Sequence, residues 1–571
     1  ITFTNQNITA NNANVNIDYM KLSINKEGVY ELTGSANNSS IYINASNDDV
    51  VTIILNNLNI TNNSNPIIYV ENAKKVIINI AKNTTNQFTD TSLMKYEKDA
   101  VIFSKDDLTI NGKGSLNIEA NFQKAIKTND DLSIISSTLN ITSKNHGIKA
   151  NNDIKIDDVQ ITIVADGDGI QNNGDSTSKN NIDIKSGTFN ITSYGDAISS
   201  SHRLSILDGS FILFAGKENN DSDKTSAKGL KASTSMILVS GDYNITSNDD
   251  AIHSDYSLTI FDGIYTISAK DDGIHADEHI LIHNANININ KSYEGIEAIY
   301  ITIMDGTIVI NAKDDGINAG GKNDGSLKMP SVNNDTMAIF QKPDGNFSIP
   351  NTNGKLIIGD INNSGAWQPP AGLELDRPKA QNGRAILEIF GGLLYVSGSA
   401  GNLEGDGIDV NGRFIVNGGT IIVSGPSIVS PDSAIDFDLE FIINGGTIIA
   451  TSSKSPLIHN ATSSSQGSAL IYLESSKSEM FHIKDVNDNI ILALAAKKNY
   501  ESIFISSPEL KLQQSYFLYF GGEITKYDNV FHGYYTNPII DFSSLDISFD
   551  ISNTINSIGT VPEQIRWFNK Y

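Results

Sequence analysis

The chain has no cysteine, only two tryptophans, and 13 prolines in 571 residues. Without Cys there are no disulfides, no thiolate metal ligands and no cysteine nucleophile. Apolar runs are short. The longest, Ile490 to Ala496, falls far below the roughly 18 residues that a membrane-spanning helix needs, so no membrane span is expected. Positive charge is scarce as well: 41 Lys+Arg stand against 66 Asp+Glu, a net charge of −25. Such a surface repels nucleic acid and anionic lipid, which attract Lys/Arg clusters. The residues from Ile1 onward show no signal-like charged and apolar region, as expected of a mature or trimmed form whose targeting segment is absent.

What is present is a repeat. Two apolar positions one apart, four spacer residues and two more such positions recur eleven times, beginning with LSIISSTLNI at Leu132 and ending with FIINGGTIIA at Phe441. Successive starts are 22, 28, 22, 32, 22, 22 and 21 residues apart up to Ile301, then 27 and 27 after Leu387. Alternation at period two marks strands, and Asp-Gly, Gly-Gly or Ser-Gly in the spacer marks turns. Between units lies a short acid-Gly/Ala-Ile stretch, as at Asp168-Gly169-Ile170, Asp250-Ala251-Ile252, Asp272-Gly273-Ile274, Glu294-Gly295-Ile296 and Asp315-Gly316-Ile317. Three short strands in about 22 residues make one coil of a parallel β-helix; helical repeats and propeller blades need longer units. Proline agrees, because it removes a ladder donor: none occurs between Pro66 and Pro330, and six fall between Pro330 and Pro378.

The expected organisation is an N-terminal cap and coils over 1–321, an inserted Pro-containing region at 322–384, and final coils over 385–465. A β-rich C-terminal cap over 466–535 and a tail of unassigned role over 536–571 follow. Inserted tracts after Gln171 and Lys217 account for the spacings of 28 and 32 and are expected to leave the solenoid between the same two strands.

In a parallel β-helix, equivalent residues of successive coils lie about 4.8 Å apart. Asp250, Asp272, Glu294 and Asp315 then stack in successive coils, with Asp249, Asp271 and Asp314 beside three of them and Asp255 and Asp277 as another pair. Like charges at that spacing repel by roughly 1 kcal/mol in water and about 3 to 4 kcal/mol at an effective dielectric near 20. A cation is expected to join them, and several hard oxygen ligands suit Ca²⁺ better than zinc or copper. Asp406, Asp409, Asp436 and Asp438 continue the theme. Turn chemistry also favours Asp and Asn at such corners. His253 and His275, one coil apart, are metal ligands or surface histidines beside aspartates. Trp367, Tyr194, Tyr256 and Tyr293 are the candidate stacking residues for sugar rings. No G-x-S-x-G, P-loop or H-E-x-x-H motif occurs.

The ordered segments GVYELTG at Gly28, VTIILNNLNITN, NPIIYVENAKKVIINI, the DDAIH and DDGIHAD coils, GDGIDVNG, NGGTIIVSGP, AIDFD and NGGTIIATSS together resemble a known family. It comprises the secreted carbohydrate-binding parallel β-helix proteins of cellulolytic clostridia, relatives in fold of calcium-dependent polysaccharide lyases. The likeness covers about residues 20 to 525. It implies a right-handed β-helix and binding of plant-wall polysaccharide such as cellulose or polygalacturonate. It also implies calcium at Asp249 and Asp250, at Asp271, Asp272 and Asp277, at Asp314 and Asp315, at Asp406 and Asp409, and at Asp436. A Gly-rich tract usual before the last coils is replaced here by the segment bearing Trp367.

The leading expectation is thus an all-β, right-handed parallel β-helix with a C-terminal β-rich cap. It would bind polysaccharide with Ca²⁺ and without catalysis, secreted or at the cell surface. Two alternatives stand beside it. One is a calcium-dependent polysaccharide lyase, with Lys270 or Lys313 as the base. The other is a subunit of a surface layer or filament that self-associates through solenoid ends.

Overall fold

The computed structural model describes residues 1–11, 14–91, 98–174, 180–216, 226–320, 385–399, 405–428, 432–454 and 459–560, with four short strands between 348 and 368 described by backbone alone. Among these residues there are strands and no helix, and they wind a β-solenoid of about 14 turns. One coil shows the logic. Ile252–Ser254, Ser257–Ile260 and Ile264–Ala269 are its three strands. Each pairs in parallel with its counterpart one coil on, Ile252 with Ile274, Leu258 with Ile280 and Tyr265 with Ile287. Three parallel ladders result.

Alternation decides what faces in. Along Ile264–Ala269, Tyr265, Ile267 and Ala269 are buried while Ile264, Thr266 and Ser268 are not. Register stacks like on like: Ile252, Ile274, Ile296, Ile317 and Ile408 form one fully buried column. Phe189, Phe211, Tyr243 and Tyr265 form another, with ring centroids 4.7, 4.8 and 4.6 Å apart and nearly parallel planes. Each large side chain fully withdrawn from water contributes roughly 1.5 to 3 kcal/mol. The turn between the second and third strands needs glycine. Gly263 has φ +117°, and a Cβ there would lie 2.8 Å from the carbonyl oxygen of Gly241 in the preceding coil.

The coils start earlier than the repeat suggests. Gly28–Asn37 pairs with Val50–Asn62 over both long ladders. These strands run on through the bend, with a lone Gly34 at φ +104° in one and Asn57 at φ +53° in the other, so the Asp-Gly or Gly-Gly spacer signature is missing there. The inserted tracts require a correction. The strands flanking the first are Ile170–Asn172 and Ile182–Ile184, those flanking the second Ser210–Ala215 and Leu230–Ala232. They therefore leave different connections of the coil, because a start-to-start spacing records only the summed length of two connections. Residues 175–179 and 217–225 themselves lie outside the described residues.

Gly321–Arg384 forms a second compact unit. In it Ser348–Pro350 pairs with Leu356–Ile358, and Asp360–Ile361 with Trp367–Gln368. On the solenoid, Ala385–Ile389 resumes the ladder directly on Tyr300–Ile303.

Both ends of the stack carry antiparallel strands. Val15–Asp18 folds back on Lys21–Ile24. Tyr500–Ser506 runs antiparallel to both Thr447–Ser452 and Ser468–Lys477. Such reversals occupy edges that would otherwise offer free ladder groups. The segment after 535, given no role above, supplies cap strands: Ser544–Ile551 pairs with Gln514–Phe520, and Ile555–Ile558 with Ser468–Lys477.

Candidate functional site

From Ile148–Ala150 onward the strands of the first ladder are two or three residues long, so the residue two positions before each inward-facing Ile or Leu falls just ahead of its strand. Register aligns Lys124, His146, Asp168, Asp196, Lys228, Asp250, Asp272, Glu294, Asp315 and Asp406 at this place. Their side chains reach along the axis. Asp196 accepts the main-chain N–H of Lys228 at 2.9 Å, Asp250 that of Asp272 at 3.1 Å, Asp272 that of Glu294 at 3.1 Å and Asp315 that of Asp406 at 2.6 Å. One carboxylate oxygen of each thus ties two coils together, and the second oxygen of Asp196, Asp250 and Asp272 lies beside Lys231, Lys228 and His275 respectively.

A second column lies at the outward residue of the same strands: Lys231, His253, His275, Glu297, Asn318, Asp409 and Asp436. The two columns interlock at their lysine end. Lys228 Nζ donates to Asp249 at 2.7 Å and to Asp250 at 2.6 Å. His253 bonds Asp250 through Nδ1 at 2.7 Å and Asp255 through Nε2 at 2.9 Å. Burial works against the charge of Asp250, yet His253, His275 and Lys228 hold its carboxyl well below the usual range. Burial likewise disfavours charged His253 and Lys228, but their carboxylates raise His253 to about 9 and Lys228 above its ordinary value.

Further along, compensation stops. Asp272 is pushed strongly upward by burial, then by Asp250, Glu294 and Glu297. Burial followed by Glu297 takes Glu294 up to about 8, although Asn318 Nδ2 donates to it at 2.9 Å. Burial also lifts Asp315 to about 7, Asp406 to about 9 and Asp409 to about 6, with neighbouring aspartates adding to the rise and main-chain N–H groups opposing it. Asp271 and Asp436 rise for the same first reason. Asn318 leaves its buried Oδ1 without a hydrogen-bond partner amid these acids.

Several sets bring three ligand atoms within 4.8 Å of one another: Asp249, Asp250 and Asp271; Asp406, Asp409 and Asp436; Asp250, His253 and His275; and Asp272, His275 and Glu297. Of the expected metal residues, Asp277 is exposed and 3.6 Å from His275, while Glu294, Asp314 and Asp315 line the same face without joining one of these triads. Two contributors escaped the sequence reading. Glu297 lies outside any doubled acid, and its signal is its register with His275. Asp107, Asp130 and Asp131 form a further triad at another corner, signalled only by the pairs Asp106-Asp107 and Asp130-Asp131.

The expected stacking residues are dispersed. Tyr256 is half-buried with its ring edge-on to His279, centroids 6.0 Å apart. Tyr293 is 41% exposed and has Lys313 Nζ 5.7 Å over its ring. Trp367 lies on a strand of the second unit, with its side chain outside the described residues. Lys270 and Lys313 are exposed.

Charge is segregated along the solenoid. Residues 1–150 hold 13 Lys and 14 Asp+Glu, a balance of −1, against −24 for the remainder.

The family of carbohydrate-binding domain-containing proteins matches residues 18–273 and 256–456. A carbohydrate-binding domain-containing protein of Acetivibrio thermocellus is 32% identical over 148 residues, 25% of this chain and 52% of the relative. The chain therefore spans about half the length of that relative. A solved structure, the polysaccharide lyase-like protein from C. thermocellum as its gadolinium derivative, is 30% identical with a TM-score of 0.35, covering 37% of this chain and 88% of that one. With a family match running over most of the solenoid, this chain belongs to the carbohydrate-binding domain-containing proteins.

Proposed function

We propose that the acidic face of the solenoid binds an anionic plant-wall polysaccharide of the polygalacturonate type through calcium ions, outside the cell and without catalysis. The observation that carries the reading is the run from Asp272 to Asp436, where buried carboxylates stack coil upon coil against one another rather than against lysine. Neutralising them by protons alone would keep them uncharged well above the ordinary carboxylate range; a divalent cation neutralises them and still presents positive charge outward.

The donor set fits calcium. The residues that would hold it are Asp249, Asp250 and Asp271 at one place and Asp406, Asp409 and Asp436 at another, with the unpaired amide oxygen of Asn318 on the same face. Carboxylate and amide oxygens are its preferred ligands, and sites of this kind on extracellular modules bind at about 10⁻⁴ to 10⁻³ M. When bound, the ion supplies the positive charge that a strongly negative protein otherwise lacks toward an acidic glycan.

Lys228 does not fit the base of a lyase: an amine that abstracts a proton must be unprotonated, and Lys228 is held protonated by Asp249 and Asp250. The test is retention of the chain on immobilised polygalacturonate with millimolar calcium and with EDTA. Binding that survives complete calcium removal overturns the bridging role, and unsaturated product absorbing in the ultraviolet overturns the non-catalytic one.

A further inference from the structure

We infer that Asp272, His275 and Glu297 form a mixed nitrogen–oxygen centre that takes a divalent transition metal of the zinc, cobalt or nickel type, separate from the all-oxygen calcium places on the same face. The argument begins with two histidines in register. His253 and His275 are Cα partners in adjacent coils, yet their rings stand at 88° with centroids 4.8 Å apart. His253 uses both ring nitrogens in hydrogen bonds of 2.7 and 2.9 Å. His275 is set differently. Its Nδ1 lies 3.6 Å from Asp250 and 3.7 Å from Asp272, and its Nε2 lies 3.6 Å from both Asp277 and Glu297.

All four separations exceed the 2.7–3.2 Å of a hydrogen bond, about 3 Å at the mode. They approach the roughly 3.3 Å between ligand atoms that tetrahedral bonds of about 2.0–2.1 Å impose. An ion uses only one ring nitrogen, and one nitrogen of His275, one oxygen of Asp272 and one oxygen of Glu297 lie within 4.8 Å of one another; without an ion the same carboxylates pair with the ring.

Ligand chemistry selects the ion. Calcium takes six to eight oxygens, while imidazole nitrogen favours zinc, copper, nickel and related ions. Asp272, His275 and Glu297 offer two carboxylates and one nitrogen within 4.8 Å, which leaves an open position in a four-coordinate ion. Asp272 is 9% exposed at its side chain, His275 20% and Glu297 23%, so the centre is shielded but reachable. Asp272 Oδ1 accepts the main-chain N–H of Glu294, and Asp272 Oδ2 is the oxygen nearer the ring. The ladder bond thereby fixes the carboxylate with one oxygen turned to the centre.

The experiment titrates Co²⁺ into the full, calcium-saturated chain and follows its visible absorption. A saturable spectrum that millimolar Ca²⁺ does not remove is expected. His275→Ala and Glu297→Gln should each weaken Co²⁺ binding by roughly 10–100-fold, while Asp528→Asn, at an exposed carboxylate of the C-terminal cap, leaves the spectrum unchanged. Circular dichroism and the thermal midpoint establish that each variant is folded, and Glu297→Gln stands alone if His275→Ala is not. Displacement of Co²⁺ by millimolar Ca²⁺, or unchanged affinity in a folded His275→Ala or Glu297→Gln, overturns the assignment. Polygalacturonate retention is read separately, so failure of the glycan reading and failure of this one are told apart.

Discussion

Asp250 Oδ1 accepts the main-chain N–H of Asp272 at 3.1 Å, so a buried acid of the column also serves as a rung between coils. The two residues occupy equivalent places but opposite electrostatic settings: Asp250 is neutralised by Lys228 and His253, and Asp272 faces further carboxylates. Opposite responses to the same substitution follow.

Asp250→Asn keeps an acceptor for the ladder bond but strips Lys228 of its nearer partner. Removing one member of a buried pair costs about 3–5 kcal/mol, so the urea midpoint should fall markedly, and Lys228→Met added to it should recover part of the loss. Asp272→Asn removes a carboxyl group that has no such lysine. In calcium-free buffer near pH 7 it should leave the midpoint unchanged or raise it.

Calcium removal should destabilise the coils that hold the acidic run. Saturation at 100 times the dissociation constant stabilises a folded chain by about 2.7 kcal/mol per site, seen as a drop in the thermal midpoint with EDTA. Asp406→Asn combined with Asp409→Asn should shrink that drop, and an identical drop in the double variant would contradict the placement at the last coils.

Asp90 provides a pH response away from the acidic face. Its side chain is buried, one oxygen accepts the N–H groups of Asn121 and Phe122, and the other has no partner. Burial raises its pKa to about 6 against the two N–H groups that lower it. For a raised carboxyl, the stabilising contribution is complete below the unfolded value near 4 and is lost as pH rises through about 6. The stability of Asp90→Asn relative to the parent should therefore improve between pH 4 and pH 7. An equal difference at both pH values would show that the charge of Asp90 is not the cause.

The inner aromatic stack should behave as a core rather than a binding site. Tyr243 is fully buried between Phe211 and Tyr265, and its hydroxyl donates to the carbonyl of Ser240 at 2.9 Å. Tyr243→Phe should cost about 1 kcal/mol and Tyr243→Ala about 3–5 kcal/mol, measured by denaturant unfolding. Polygalacturonate retention at a temperature where both remain folded should be unaffected.

How far the sequence carries can be seen at single residues. Leu258 and Ile280, 22 positions apart, are found as ladder partners because period-two alternation and turn glycines recur at that interval. Lys228 is not legible in the sequence because Lys228-Gly229-Leu230 departs from the acid-Gly/Ala-Ile pattern, although Leu230 stands in register with Ile252. Asp130 and Asp131 were missed for a related reason: their doubled acid precedes a strand of the second ladder rather than the first.

The amino-acid order by itself determined the all-β solenoid and the concentration of carboxylate at its corners. Both are local consequences of which side chain follows which, repeated at a nearly constant interval. Only the tertiary structure decided which carboxylates are neutralised, by Lys228 and His253, and which are left to one another around His275. Charge compensation acts through space between coils 21 or 22 residues apart, and a register one residue different would have exchanged the partners.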